Sequence, residues 1–289
     1  MAAGFARRVR TFLTLGRVSN LPTVWSNCLA GWWLGGGGAP ELLVWLLGGV
    51  SLLYLGGMFL NDAFDAEFDR RHRRERPIPA GEISERAVWA LGWGLLATGA
   101  GMLFGCGSAS GWLGLALAGS IVLYDAVHKV VTVAPLLMGL CRFWVYVVAA
   151  ASAREGVNGH AVWAGLALAG YVTGLSFLAR HERMGGPVPR WPTGLLATPI
   201  VLALLMNRGP HLEPALWLSL ILGLWVIRCV RRSFGSSHPN VPLTVSGLLA
   251  GMVLVDWLSV APEATRELSL IFLGLFAGAW LAQRLVPAT

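Results

Sequence analysis

NDAFDAEFDRRHRRERPIPAG, residues Asn61 to Gly81, follows the apolar run 41–60 and gathers Asp62, Asp65, Glu67, Asp69 and Glu75 with Arg70, Arg71, Arg73, Arg74 and Arg76. Seven of the 15 acidic residues fall between Asp62 and Glu85, in a chain only 13% charged. If the helix of residues 41–60 continues, Asn61, Asp65 and Asp69 recur at i, i+4 and i+8 on one face, with Asp62 on its flank.

Carboxylates held that close repel one another, a cost that a cation between them offsets. Oxygen-only donors suit Mg²⁺, which combines a few carboxylates with water and phosphate oxygens. Arg73 and Arg76 fall near the same helical face, and guanidinium pairs with phosphate through two parallel hydrogen bonds. The other reading is a solvated loop whose acids and arginines balance. Spacing alone leaves both open.

The surroundings fix the class. The 289 residues are 55% hydrophobic, with 14 Trp, 37 Gly and a mean hydropathy of +0.63. A soluble domain carries about 25% charged residues, so roughly half the ordinary charge is present. These proportions predict an all-α, polytopic membrane bundle. The net charge of +7 does not point to nucleic acid, because no basic stretch is interleaved with a soluble fold; arginines in cytoplasmic loops explain it. Cys28, Cys106, Cys141 and Cys229 lie singly in or beside apolar segments and suit small-residue packing. Residues 1–19 are basic and amphipathic, predicting an interfacial helix that leads into the first span rather than a removed signal.

Apolar segments at about 20–38, 41–60, 87–106, 111–127, 133–152, 161–179, 193–207, 214–230, 242–261 and 268–285 predict nine or ten crossings. The count is nine if 193–207, short and interrupted by Pro199, does not span. With the N-terminus inside, ten crossings put all but four of the 22 Lys and Arg in cytoplasmic segments. The exceptions are Arg154, Arg208 and Arg266 outside and Arg142 within a span. This asymmetry favours ten crossings with both termini and the Asn61–Gly81 stretch in the cytoplasm; the expected location is a bacterial inner membrane, as a multi-pass protein. The whole of 1–289 reads as one domain with cytoplasmic loops at 61–86 and 180–192. GWWLGGGG at 31–38 and the Gly and Ala of the spans predict close helix packing.

Ionisable groups in or beside spans are functional candidates. Tyr124, Asp125, His128 and Lys129 lie in LYDAVHKVV, Arg142 in MGLCRFWVY, and Arg180, His181, Glu182 and Arg183 in SFLARHER. Each has a plainer reading: Asp125 and Lys129 are an ordinary i, i+4 pair, and the last group flanks a span. Either histidine alone reads more readily as an interfacial side chain than as a ligand. Arg142 lies deep and needs an anion, for which Asp125 or a bound diphosphate would serve. Asn20 and Asn27 are candidates to line a cavity. Asp256 is isolated in sequence, and a structural partner is as good a reading as a site.

NxxxDxxxD after the second span, with Asn61, Asp62, Asp65 and Asp69 in place and Arg76, Pro77, Ile78, Pro79 and Gly81 closing the loop, resembles the first aspartate-rich motif of the UbiA superfamily of intramembrane prenyltransferases. RVSNLPTVW near the N-terminus, Tyr124 followed by a basic residue, and a polar loop after helix 6 extend the resemblance. It implies about nine helices around a central cavity that opens laterally to lipid. It also implies an isoprenyl diphosphate held through Mg²⁺ by two aspartate-rich motifs, ionised, and transferred to an acceptor that is often aromatic. The second motif, a DxxxD, is absent: residues 179–190 read ARHERMGGPVPR, with Glu182 as the sole acid. LYDAVHK, MGLCR and RHE resemble the EboC-like branch.

The expected activity is therefore Mg²⁺-dependent prenyl transfer to a lipophilic acceptor among membrane lipids. Asn61, Asp62, Asp65 and Asp69 are the expected metal set and Asp62, Asp65 and Asp69 the expected catalytic carboxylates. Asn20, Arg73, Arg76, Tyr124, Asp125, Lys129, Arg142, Arg180 and Glu182 are the expected substrate contacts. Tyr124, Phe143, Trp144, Tyr146 and Phe177 are aromatic faces for an allylic cation. Two rivals stand beside this reading. A CDP-alcohol phosphotransferase would carry a DGxxAR run, which is absent. A transporter or lipid-binding protein that keeps the fold without the chemistry is supported by the missing DxxxD and opposed by the intact first motif. Prenyl length, acceptor and oligomeric state are not legible.

Overall fold

Proline opens one helix after another: Pro22, Pro40, Pro135, Pro192, Pro199 and Pro242 each occupy the first or second helical position. There the missing N–H has no partner to lose and the fixed φ suits the helix. In the computed structural model, which describes residues 2–184, 190–234 and 240–285, the order is α1 (Ala2–Leu15), a 3₁₀ turn (Val18–Asn20), α2 (Leu21–Leu34), α3 (Pro40–Phe64) and α4 (Ala66–His72). There follow α5 (Glu85–Gly105), α6 (Ser108–Val127), α7 (Ala134–Ala151) and α8 (Gly159–Met184). The rest are α9 (Pro192–Leu195), α10 (Thr198–Met206), α11 (Leu212–Phe234), α12 (Val241–Val260) and α13 (Arg266–Leu285). Side chains of residues 2–8, 181–184 and 285 lie outside the description.

The described residues contain no strand, and 7 of their helices are long and apolar enough to cross a membrane. Exposed Trp112, Trp217, Leu224, Leu270 and Leu273 leave apolar side chains on the outer surface, as an integral membrane protein requires. By that measure, taken over the described residues alone, three of the ten expected segments fall short. The segment expected at 20–38 stops at Leu34, because Gly36 and Gly37, at φ 85° and 62°, turn the chain into α3. That run was expected to serve helix packing; Gly31 and Gly35 do so against α7, and the next glycines make the turn. Residues 192–206 break into a four-residue and a nine-residue helix, with Pro199 starting the second. α13 carries Arg266, Glu267, Gln283 and Arg284 at its ends.

Two apolar cores meet at α2 and α7. One joins α2, α3, α5, α6 and α7 through Leu46, Leu53, Leu96, Leu103 and Val145. The other joins α7, α8, α11, α12 and α13 through Tyr146, Tyr171, Leu248 and Phe272. α3 and α5 approach backbone to backbone: a Cβ added at Gly99 would lie 2.7 Å from the Gly49 carbonyl oxygen and 2.9 Å from the Leu53 nitrogen. Gly99→Ala is expected to cost about 1–3 kcal/mol through forced separation of the helices. Gly101→Ala, where an added Cβ meets nothing within 4 Å, should leave the melt in detergent unchanged or slightly raised. Equal melts would show that the seam is not tight.

Candidate active site

The charged stretch begins inside α3. Asn61 and Asp62 lie in its last turn, Asp65 caps it, and Asp69 lies in α4. The helix is interrupted at Asp65, yet the hydrogen-bond register runs on: Asp65 N donates to Asn61 O at 3.0 Å, Asp69 N to Asp65 O at 2.9 Å and Arg73 N to Asp69 O at 2.8 Å. The i, i+4, i+8 spacing therefore survives the break. Asn61, Asp62, Asp65 and Asp69 are all buried.

α6 ends beside them. Asn61 Nδ2 donates to Asp125 Oδ1 at 2.9 Å, while Asn61 Oδ1 accepts from Arg17 Nη2 at 3.1 Å. A cation on one side and a carboxylate on the other fix which way the amide faces. Arg17 Nη2 also lies 3.5 Å from Asp62 Oδ1. Arg17 stands at φ 42°, a left-handed backbone just before the 3₁₀ turn, and Tyr54 OH donates to its carbonyl at 3.1 Å. Lys129 Nζ lies 2.6 Å from Asp65 Oδ1 and 4.2 Å from the centre of the Phe68 ring. His128 Nε2 lies 3.4 Å from the same oxygen, and its ring stacks on Tyr124 at 5.2 Å.

Charge follows from these neighbours. Burial raises the Asp65 carboxyl, but the adjacent His128 and Lys129 outweigh it and hold the group below its ordinary value. Burial, then the adjacent Asp65, raises Asp69. Burial lowers Arg17, but Asp62 leads the charges that raise it above its ordinary value. Burial and Arg17 lower Arg76, against the pull of Asp62 and Asp69. The arginine run thus divides: Arg76 acts on the carboxylates, while Arg71 pairs with Glu67 and Arg70 with Glu85 on the exposed side. The balancing-loop reading holds for that exposed pair of contacts.

Among the described residues Asp62 Oδ2, Asp69 Oδ1 and Asp125 Oδ2, all buried acceptors, have no hydrogen-bond partner, and Asp65 Oδ1 has its ion-pair neighbours alone. Buried carboxylate oxygens ordinarily find a donor, so these are available to an incoming one. Among the described residues no three His, Cys, Asp or Glu side chains form a ready metal cluster. That donor set suits Mg²⁺, which keeps waters and phosphate oxygens and needs only one or two carboxylates. Toward the bundle interior, a cavity of about 70 Å³ is walled by Val50, Tyr54, Ile121, Tyr124, Asp125 and Arg142 among others.

Arg142 touches that cavity, but its partners are not the expected ones. Nη1 donates to Asn27 Oδ1 at 2.6 Å and Nη2 to Thr23 Oγ1 at 3.2 Å, because α7 packs on α2 at this depth. Asn27 Nδ2 in turn donates to Asp256 Oδ2 at 2.6 Å, which also accepts from Ser26 at 2.5 Å. Tyr146 OH donates to Asp256 Oδ1 at 2.7 Å, so this wholly buried tyrosine is committed to the core. Asp256 has the structural partners that its sequence left open. Arg180 Nη1 donates to Val131 O at 2.6 Å, tying α8 to the turn after α6. Asn20 Oδ1 accepts from Gln283 Nε2 at 2.5 Å, joining the start of α2 to the end of α13. Phe143 stacks on Trp144, and Phe177 on Trp191, edge to face. The side chains of His181, Glu182 and Arg183 fall outside the described residues.

Arg17, which in the sequence counts only as a cytoplasmic charge, and His128, which alone reads there as an interfacial side chain, both lie against the aspartates. Arg17's signal was its place at the head of RVSNLPTVW; His128's was one helical turn from Tyr124 and adjacency to Lys129.

Known proteins supply the remaining comparison. An archaeal UbiA homolog from Archaeoglobus fulgidus, solved bound to GPP and Mg²⁺, superposes over 94% of this chain and 99% of its own with a TM-score of 0.66 at 14% identity. A digeranylgeranylglyceryl phosphate synthase superposes over 95% and 99%, with a TM-score of 0.62 at 18% identity. At those identities the likeness is one of fold. In sequence, the 4-hydroxybenzoate octaprenyltransferase of Pectobacterium carotovorum is 31% identical over 136 residues, and the match spans about half of each chain, 46% of both. The digeranylgeranylglyceryl phosphate synthase of Metallosphaera sedula is 42% identical over 50 residues, 17% of this chain and 18% of that one. The profile of the UbiA prenyltransferase family matches residues 21–186, more than half the chain and all of α2 to α7 with the aspartates between them, and the chain belongs to that family.

Proposed function

We propose that the protein transfers an isoprenyl group from a prenyl diphosphate to a lipophilic acceptor within the membrane, with Mg²⁺ held at Asn61, Asp62, Asp65 and Asp69. One observation carries the reading: Asp62 Oδ2 and Asp69 Oδ1, buried and without hydrogen-bond partners among the described residues, stand among Arg17, Arg76 and Lys129, and Asn61 beside them bonds to Asp125, which lines the inner cavity. Relatives named as octaprenyltransferases support it. The aspartate-bearing end faces the cytoplasm in this proposal, and the chain acts as one domain.

Mg²⁺, when bound, supplies positive charge to the leaving diphosphate. The C1–O bond of the prenyl diphosphate breaks with its electron pair leaving on diphosphate, a bond forms from C1 to the acceptor, and the acceptor gives up a proton. Arg73, Arg76 and Lys129 meet the remaining charge of the leaving group, an arrangement that works best where water is scarce. Asn61 holds the cluster together through Arg17 and Asp125. Tyr124 and the apolar wall of the cavity keep water from the allylic carbon, which it would convert to an alcohol.

The test is binding of labelled farnesyl and geranylgeranyl diphosphate to the purified protein in detergent, with Mg²⁺ and after chelation. Binding that requires Mg²⁺ and is lost in both Asp65→Asn and Asp69→Asn is expected. Binding indifferent to chelation and to both substitutions would remove the metal site. No binding at any chain length would favour a fold kept without the chemistry.

A further inference from the structure

At the same end of the bundle as the aspartates, but between α11, α12 and α13, lies a second cavity of about 520 Å³. Arg232 and Arg284 line it, with Asn240, Ser246, Trp225 and Trp280. The Arg284 guanidinium carbon lies 4.0 Å from the centre of the Trp280 ring, and that of Arg228 lies 5.1 Å from Trp225. A guanidinium laid on an indole face keeps its N–H edges directed outward, the edges that fit a phosphate. Trp225 is itself pinned, its Nε1 donating to Gly247 O at 2.8 Å.

Among the described residues nothing acidic answers this charge. Between Glu213 and Asp256, and again after Glu267, the chain has no Asp or Glu, and among the described residues Arg228, Arg232 and Arg284 make no ion pair. Along the bundle from this basic end the outer surface is apolar, with Leu220, Leu224, Ile227, Leu243 and Leu281 all about half exposed. A cationic pocket at a helix end with an apolar flank leading away from it matches an amphiphile with a phosphate head. Basic pockets between membrane helices are the ordinary seats of anionic headgroups.

We infer that the α11–α12–α13 groove binds the phosphate of an anionic glycerophospholipid, with Arg232 and Arg284 on the head and the exposed leucines along the acyl chains. This site is separate from the aspartate cluster and does not depend on prenyl transfer.

The experiment titrates the full chain in neutral detergent with phosphatidylglycerol and with phosphatidylcholine, reading bound lipid by native mass spectrometry. Phosphatidylglycerol is expected to bind more tightly. Arg232→Gln with Arg284→Gln should weaken it by roughly 25-fold, at about fivefold per interfacial cation. Arg232→Lys with Arg284→Lys should retain the preference and report on folding, and Arg266→Gln, at the other end of α13, should change nothing. Inorganic phosphate at millimolar concentration should not displace the lipid. Equal binding of the two lipids, or a preference that survives the double glutamine variant, overturns the inference. Displacement by inorganic phosphate overturns the lipid as the source and leaves a site for free phosphate.

Discussion

Asp69→Asn is expected to lower prenyl transfer at least about 100-fold while leaving the protein as stable as the parent or slightly more so, whereas Asp65→Asn should lose both activity and stability. The two aspartates share a helical face but not an environment. Asp69 is buried with Oδ1 unpartnered, and burial and Asp65 raise its carboxyl, so neutralising it relieves a cost in the resting protein. Asp65 is held ionised by Lys129 and His128, and an amide there leaves those donors facing a weaker acceptor. Lys129 is about one third exposed, which discounts the stability loss to about 1 kcal/mol. The functional loss has the size seen when one preorganised electrostatic contact to a transition state is removed. Turnover of a prenyl diphosphate and thermal unfolding, measured on the same two preparations, check the split. An active Asp69→Asn would show that its unpartnered oxygen has no part in the chemistry.

The contrast also shows what the chain discloses by itself. Local geometry is legible: a spacing of four in and beyond an apolar run puts Asn61, Asp65 and Asp69 on one face, and the backbone bonds from Asp65 to Asn61 and Asp69 to Asp65 keep it so through the break. Contacts that bridge helices are not. Asn61 meets Asp125 across 64 residues and Arg17 across 44, and helical periodicity carries no information at that range. Membrane position gave a partial substitute, because segments expected on one side of the bilayer are candidates to meet; it brought Lys129 into the expected site. It failed for Arg142, which is buried in α7 but whose partners come from α2, a helix with no charged residue to draw notice. Arg180 shows a different limit: among the described residues it is engaged by the backbone carbonyls of His128, Val131 and Thr132, and carbonyls leave no mark in a sequence.

Asp256→Leu is expected to be the most damaging substitution outside the aspartate motif, costing about 3–5 kcal/mol, while Asp256→Asn should keep most of the stability. Asp256 is fully buried and accepts from Ser26 and Asn27 on one oxygen and from Tyr146 on the other, so it joins α2, α7 and α12 at the meeting point of the two cores. Leucine fills a comparable volume but strands three donors in the bundle interior, each at about 1–3 kcal/mol, with partial relief from local shifts. It also loosens Asn27, which holds Arg142, and so exposes a buried cation to the loss of its neighbour. Asparagine retains one carbonyl acceptor and the shape. Thermal unfolding in detergent ranks the two, and Mg²⁺-dependent prenyl diphosphate binding by Asp256→Asn separates a role in the fold from one in the site. Retained binding with a modest loss in melt is the result for a joint between helices. A stable Asp256→Asn that no longer binds would instead draw Arg142 and its cavity into the reaction, since the polar chain from Asp256 through Asn27 ends on Arg142, which lines that cavity.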